Sequence, residues 1–167
     1  MGPGQNEGMK RTLLFVLALI ASGCGSPDGP YELYHENGQL SEKGTYVAGE
    51  LDGPLEEYRE NGQLWAKVTY AAGKLDGPAE VYYDNGQLQQ KETYKADALD
   101  GPYESYHENG QLSWKGFYVA HDLDGPAEMY HENGQLQEKG TANMGQQCGE
   151  WIEDGETVTY DPCPPGN

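Results

Sequence analysis

The chain has 167 residues, of which 36% are hydrophobic, and it contains 13 Tyr and 24 Gly against only two Phe. This composition excludes a thick globular core and suits half-buried strands joined by tight turns. With 10 basic and 28 acidic residues the net charge is −18, and so acidic a surface repels nucleic acid and anionic headgroups. We therefore expect no nucleic-acid partner, and any membrane attachment should depend on lipid.

The first 23 residues have the pattern of an export signal. Met9-Lys10-Arg11 is a short basic segment, and Leu13 to Ala21 is an apolar run of nine residues, too short to span a bilayer as a helix. Both Met1 and Met9 are possible start sites. We assign residues 1–23 to a signal peptide.

Small residues directly precede Cys24, and this pattern resembles a bacterial lipoprotein signal. The resemblance implies cleavage before Cys24, diacylation of its thiol with chains such as palmitate, and anchoring in the bacterial cell envelope. Gly25 follows in place of the Asp that retains some lipoproteins in the inner membrane, which favours the outer membrane. Residues 24–27 would be the lipidated Cys and a short tether. The alternative is an ordinary secretory signal with a Cys nearby by chance.

Five copies of one segment, each 24 residues long, fill residues 28–147. Asp-Gly-Pro begins at Asp28, Asp52, Asp76, Asp100 and Asp124, and Asn-Gly-Gln-Leu begins at Asn37, Asn61, Asn85, Asn109 and Asn133. A fixed period in the twenties indicates a repeat architecture in which each unit packs only against its neighbours.

Each repeat has the pattern of a β-hairpin. Asn-Gly between two short runs rich in Tyr, Leu, Thr and Val is a strong hairpin signal, and a second turn is expected at Asp-Gly-Pro. The prediction is an all-β, elongated, single-layer antiparallel sheet of consecutive hairpins, with about ten strands, two per repeat.

The strand register within each hairpin depends on the length of the loop that joins its two strands. A three-residue Glu-Asn-Gly loop with Gly in the left-handed position places Tyr34 opposite Leu40, with Tyr46 on the same face. The stripe would comprise Tyr34, Tyr58, Tyr82, Tyr106, Tyr130, Leu40, Leu64, Leu88, Leu112 and Leu136. The opposite face would carry His35, Arg59, Tyr83, His107 and His131, and the lysines Lys43, Lys67, Lys91, Lys115 and Lys139.

Two interpretations of the tyrosine stripe remain open: it is the thin core of the sheet, or it is a partly open groove that binds a partner. Trp65 and Trp114 interrupt rows of small or polar residues, so we take both as candidate binding residues, together with the five tyrosines. Near the stripe lie Glu32, Glu56, Glu80, Glu104 and Glu128. Their carboxylates are expected to accept hydrogen bonds from the Asp-Gly turn amides.

The repeat pattern decays after Gly140, and residues 148–167 are expected to form a cap. A shortened hairpin with Asp154-Gly155 as its turn is followed by prolines that cannot extend a sheet. Cys148 and Cys163 flank this hairpin, which predicts a disulfide in an exported protein and about 3 kcal/mol of stability. Two free thiols are the alternative.

Catalytic and metal-binding patterns are weak. His107 and His131 occupy the same repeat position, two strands apart, about 10 Å and too far for one zinc ion. None of the five serines lies in a nucleophile motif, and glycine-rich phosphate loops are absent from the sequence. We therefore expect neither an enzyme nor a metal, a cofactor or a small-molecule substrate.

The motif Asp-Gly-Pro…Tyr…Glu-Asn-Gly-Gln-Leu…Lys-Gly-Thr-Tyr…Leu-Asp-Gly resembles the MORN repeat variant (membrane occupation and recognition nexus) of bacterial proteins of the YwqK antitoxin type. The resemblance covers residue 28 to about 147. It implies a sheet of hairpins that serves as a protein-protein interaction or scaffolding surface for an unknown protein partner. The alternative is an immunity or antitoxin-type protein that binds and neutralises a toxin.

Overall fold

A computed structural model describes residues 28–164, which form one open antiparallel sheet of consecutive hairpins. The predicted signal peptide and Cys24 lie outside the described residues. Within those residues, no helix is long and apolar enough to cross a bilayer.

The sheet contains fifteen strand segments. They are β1 (Gly29–Tyr34), β2 (Leu40–Val47), β3 (Glu50–Leu51), β4 (Gly53–Tyr58), β5 (Leu64–Ala71), β6 (Lys74–Tyr82), β7 (Leu88–Lys95), β8 (Ala98–Leu99), β9 (Gly101–Tyr106), β10 (Leu112–Val119), β11 (Asp122–Leu123), β12 (Gly125–Tyr130), β13 (Leu136–Asn143), β14 (Gln146–Glu153) and β15 (Glu156–Thr159).

The strand order follows the chain. Twelve strands are neighbours in sequence order from β1 to β15, and the two-residue strands β3, β8 and β11 each pair with the end of the strand before them. Ten of the twelve belong to the five repeats, and β14 and β15 form the C-terminal hairpin. The predicted all-β sheet of consecutive hairpins is confirmed.

Each hairpin closes with the expected three-residue loop. In the first repeat the His35 N–H donates to the Gln39 carbonyl at 2.8 Å, and Gly38 has φ 84°. Tyr34 is then opposite Leu40. The predicted pairing of the tyrosine and leucine rows is therefore correct. Glycine is the last residue of the loop because this position has a left-handed φ, which strains other residues.

An extra residue in the second strand changes the register beyond the loop. Leu33 pairs with Glu42 while Tyr34 pairs with Leu40, so Ser41 has no partner in β1 and forms a β-bulge. Beyond the bulge, Lys43 pairs with Glu32 and lies on the Tyr34 face. The placement of the lysine row on the opposite face is wrong, because the bulge shifts the alternation by one residue.

The same shift moves Tyr46 to the other face. Tyr46 pairs with Gly29, and its ring centroid lies 4.8 Å from that of Tyr31. We call the side with Tyr34, Leu40 and Lys43 the ladder face and the side with Tyr31 and Tyr46 the core face. These names apply to the equivalent positions of all five repeats.

The second turn lies before Asp-Gly-Pro rather than at it. Val47 pairs with Glu50, so the turn residues are Ala48 and Gly49, with φ values of 51° and 79°. Two positive φ values in a two-residue loop match the twist of the flanking strands. Asp-Gly-Pro follows as an irregularity at the start of the next strand, where the missing proline N–H is tolerated.

The repeated aspartate stabilises these turns. The Asp52 carboxylate accepts a hydrogen bond from the Ala72 N–H at 3.2 Å, and Asp76 accepts one from Ala96 at 3.3 Å. Asp28 and Asp100 accept the equivalent bonds, so the aspartates of the first four repeats each cap the turn at the end of their own repeat.

The core is thin and lies on the core face. Its fully buried members are mostly alanines, and the largest fully buried side chain is Trp151 of the capping hairpin, which is 2% exposed. Trp151 packs against Ala127 and Ala142. The predicted C-terminal hairpin turns at Asp154 and Gly155, since Glu153 pairs with Glu156, and the Cys148–Cys163 disulfide is present.

Gly140 faces the Trp151 ring, and a Cβ atom added there would lie 2.1 Å from Trp151 Cδ2. We expect Gly140→Ala to lower the free energy of unfolding by about 1–3 kcal/mol, because the buried indole must move. Urea unfolding followed by circular dichroism measures this change. Gly44 has the same repeat position, but its added Cβ would only touch the Tyr31 ring at 3.0 Å. An equal loss in Gly44→Ala would contradict the explanation.

Candidate interaction surface

On the ladder face, side chains of alternating charge form a ladder across the sheet, with one residue from each of the ten repeat strands. Each residue is paired across strands with the next in the series Glu32, Lys43, Glu56, Lys67, Glu80, Lys91, Glu104, Lys115, Glu128 and Lys139. Opposite charges directly across a strand pair are favourable, so the ladder specifies the register of every repeat against the next.

The glutamates of the ladder bind tyrosines of their own strand. In each repeat the tyrosine hydroxyl donates to the glutamate two residues earlier; the Tyr82–Glu80 and Tyr106–Glu104 distances are both 2.7 Å. Tyr34, Tyr58 and Tyr130 make the same bond. The expectation that the Asp-Gly turn amides bind these carboxylates is therefore wrong: tyrosine hydroxyls bind all five.

In the second and fifth repeats, lysines from two neighbouring strands reach the same glutamate. Glu56 is 2.8 Å from Lys43 and 3.8 Å from Lys67. Glu128 is 2.7 Å from Lys115 and 3.3 Å from Lys139. The hydrogen bond from Lys115, helped by that from Tyr130, lowers the pKa of Glu128 from 4.5 to about 2.

This shift predicts acid sensitivity at Glu128. Because its folded-state pKa lies below the unfolded one, the ionised carboxylate stabilises the fold above about pH 4.5, and this contribution is lost as the pH falls towards 2. We expect Glu128→Gln to flatten the fall of unfolding free energy between those pH values, measured by urea titrations. Glu132→Gln, in the exposed loop of the same repeat, is the control. Equal acid-side slopes in both variants would contradict the assignment.

The tyrosine row is partly exposed along the sheet. Tyr34 at the first repeat is 59% exposed, and the four later tyrosines are half-buried. Burial and the bond to Glu80 raise the pKa of Tyr82 to about 12, and the bond to Glu104, with burial, raises that of Tyr106 to about 12. These hydroxyls remain protonated donors at neutral pH, so the row presents ring surface and stays uncharged.

The row His35, Arg59, Tyr83, His107 has a structural role that the sequence pattern did not show. His35 Nε2 bonds to the Tyr58 carbonyl and Arg59 Nη2 to the Tyr82 carbonyl, both at 2.8 Å. Tyr83 and His107 make the same contact to the next repeat. The side chain varies because any long donor satisfies this carbonyl.

The last member of the row, His131, faces the capping hairpin. Its Nε2 lies 3.5 Å from the Asp154 carboxylate. Among residues 28–164, there is no group of three or more His, Cys, Asp or Glu side chains placed to hold a metal ion.

The two candidate tryptophans occupy different environments. Trp65 is the extra residue of the second repeat, since Tyr58 pairs with Leu64 and Glu57 with Ala66, and it is half-buried. Trp114 lies on the core face and packs against the cluster of Ala127, Ala142 and Trp151. The structure therefore does not bring the two together: Trp114 belongs to the end of the core, while Trp65 is not part of it.

A buried carboxylate on the core face was not anticipated. Glu92 is 8% exposed, accepts hydrogen bonds from Gln90 at 2.8 Å and Tyr94 at 2.9 Å, and occupies the row of Gly44 and Val68. Burial, followed by the negative charge of Glu92, raises the pKa of Tyr103 to about 12. In the sequence, the only sign of this buried carboxylate is that Glu92 stands in a row of otherwise small or apolar residues.

Comparison with solved structures gives a match to the crystal structure of accessory secretory protein 1, 2 and 3 from Streptococcus pneumoniae. The identity is 13% and the TM-score 0.36, over 70% of this chain and 19% of the other. The chain thus spans about a fifth of that protein's length. No curated protein matches.

The family model described as MORN repeat variant matches five segments, residues 27–48, 51–72, 75–96, 99–120 and 123–143. These segments cover more than half of the chain, and their period is that of the structural hairpins. The chain belongs to the MORN repeat variant family.

Proposed function

We propose that the chain is a lipid-anchored repeat protein of the bacterial envelope that binds a protein partner through its ladder face. The observation that carries this proposal is that the repeated polar side chains bond within the array, whereas the tyrosine and leucine row of the ladder face stays uncovered. The repeated Asp, Asn and His/Arg/Tyr positions form bonds within the array. The ladder face retains a continuous row of tyrosine and leucine side chains that no other layer of the described residues covers.

Charge also favours the ladder face as the binding surface. Its five ladder lysines and five ladder glutamates cancel, whereas the other charged residues of the described chain are 22 acidic and three basic, a net charge of −19. A neutral surface lined by aromatic rings can be desolvated at lower cost than a strongly charged one. Tyrosine is also among the residues enriched at binding interfaces.

The lipid anchor is tested separately from binding. We expect the full chain to incorporate a palmitate analogue in bacterial cells and to fractionate with membranes, because the pattern before Cys24 resembles a lipoprotein signal. Cys24→Ala should abolish labelling, while the double alanine variant of Cys148 and Cys163 should keep it. An unlabelled, membrane-free full chain would contradict the anchor.

Partner binding is tested with Trp65→Gln, because Trp65 lies outside the buried cluster and its loss should leave the fold intact. We expect crosslinking in native cells, with Cys24 unchanged, to recover less partner than the unaltered protein does. Thr157→Gln, on the capping hairpin, is the matched control. Equal recovery in both would remove Trp65 from the interface. A single stoichiometric partner with toxin activity would assign the immunity function instead.

A further inference from the structure

The outer edge of β1 is the least protected edge of the sheet. At the opposite end the array is closed by β14 and β15, by the Cys148–Cys163 disulfide and by Pro162 and Pro164. Among residues 28–164, no strand other than β2 pairs with β1. Unpaired edges with free backbone groups are templates for pairing with another chain.

The backbone groups that point outward from β1 can be identified from the later repeats. The carbonyls of Tyr58, Tyr82 and Tyr106 each accept a bond from the preceding repeat, and Pro78 accepts one from Thr69 of the preceding strand. Since N–H and C=O groups alternate sides along a strand, the equivalent groups in β1 are the Pro30 carbonyl and both groups of Glu32 and Tyr34.

Two large side chains of the same strand are exposed. Leu33 is 49% exposed and Tyr34 is 59% exposed. Their counterparts in the second repeat, Glu57 and Tyr58, are half-buried because a preceding hairpin covers them. The first repeat therefore presents the contact surface that every later repeat uses, with its apolar side chains uncovered.

We propose that β1 pairs antiparallel with β1 of a second copy of this chain, about a twofold axis at Leu33. In this register Glu32 of each copy is opposite Tyr34 of the other, and all four outward N–H groups find carbonyl acceptors. Centring the axis on Tyr31 would place Glu32 opposite Pro30, which lacks an N–H. Centring it on Glu32 would place two carboxylates opposite each other.

The pairing continues the interface that already joins the repeats, so it extends one sheet across two molecules. Only one short strand from each copy takes part, and we expect a weak dimer whose detection needs trapping. The twofold arrangement also closes: once the two β1 edges have paired, each end of the joined sheet is a capping hairpin, and no filament forms.

The test is a Leu33→Cys substitution in the full chain, expressed in bacterial cells and oxidised gently. Residues facing each other across a twofold axis at a non-hydrogen-bonded position have Cα atoms about 4.5 Å apart, close enough for a disulfide. We expect a species of twice the mass on a non-reducing gel, lost on reduction. The unaltered protein and Thr157→Cys, on the outer strand of the cap, should give no such covalent species and run at the mass of one chain.

A proline substitution distinguishes a crosslink formed by paired β1 edges from one formed by random collision. Glu32→Pro in the Leu33→Cys background removes an outward N–H while leaving the backbone hydrogen bonds between β1 and β2 in place, and it should abolish the crosslink. Thr157→Pro in that background should not abolish it. Absence of a crosslink in Leu33→Cys overturns the proposal. Hydrogen exchange at Glu32 and Tyr34 then identifies the occupant: slow exchange shows another segment on the edge, and fast exchange shows a free edge.

Discussion

Trp151→Ala is expected to lower the free energy of unfolding by about 3–5 kcal/mol, the range for removing a large buried aromatic side chain. The indole is 2% exposed, contacts Ala127 and Ala142, and its Nε1–H donates to the Thr141 carbonyl at 3.0 Å. No other buried side chain of the described residues is as large. The loss should be concentrated at the C-terminal end, because each repeat contacts only its neighbours.

Trp65→Ala is the matched control for this prediction. Trp65 is half-buried at a bulge and lies outside the cluster. Its replacement should cost much less than that of Trp151 in urea unfolding followed by circular dichroism. Hydrogen exchange should show that Trp151→Ala opens β12 to β15 while β4 to β6 stay protected. Uniform opening of all repeats, or equal losses in the two variants, would contradict the nearest-neighbour account.

Removing the disulfide is expected to cost about 3 kcal/mol, the loop-entropy value for a 15-residue separation. The bond fixes the segment after β15 against the start of β14, beside the cluster that contains Trp151. Alanine is the better replacement for both cysteines, since Cys148 is 5% exposed and a serine hydroxyl would be buried there.

Thermal unfolding of the unaltered protein with and without reductant measures the disulfide effect directly. We expect the reductant to lower Tm in the unaltered protein and to leave Tm unchanged in the Cys148→Ala, Cys163→Ala double variant. If reduction left the Tm of the unaltered protein unchanged, the disulfide would contribute nothing to the cap. Its stabilising role would then have to be abandoned.

The repeat period and loop chemistry made the fold predictable from the sequence. Asn37-Gly38 specifies a tight loop, and its length places Tyr34 opposite Leu40, as observed. The decay of the pattern after Gly140 correctly indicated a capping hairpin. These features depend on local turn chemistry and periodicity, which a sequence displays directly.

The bulge was not predictable because its residue has no sequence signature. The extra position is Ser41 in one repeat and Trp65 in the next, and neither type marks a bulge. A shift of one residue exchanges the two faces, which is why the lysine row and Tyr46 were placed wrongly. The Ala48-Gly49 turn was also missed because its residues vary between repeats. The third and fourth repeats have Ala96-Asp97 and Ala120-His121 at these positions, without the glycine that indicates a turn.

The candidate surface was therefore predicted only in part. The five tyrosines do form one row, but the ladder that accompanies them depends on lysines assigned to the other face. Trp114, taken as a binding residue, packs in the buried cluster, and this follows from long-range packing that no local pattern encodes. The binding roles of Trp65, Trp114 and the tyrosines stay predictions.

Site-specific photo-crosslinking in native cells, with Cys24 intact, shows whether a protein partner contacts the ladder face. A photoreactive phenylalanine derivative replaces Tyr82 in the middle of the ladder face, and the same residue replaces Thr157 on the cap as the control. We expect one or a few defined protein adducts from position 82 and none from position 157, identified by mass spectrometry. Adducts from position 157 alone, or from neither position, would contradict the ladder face as the interaction surface.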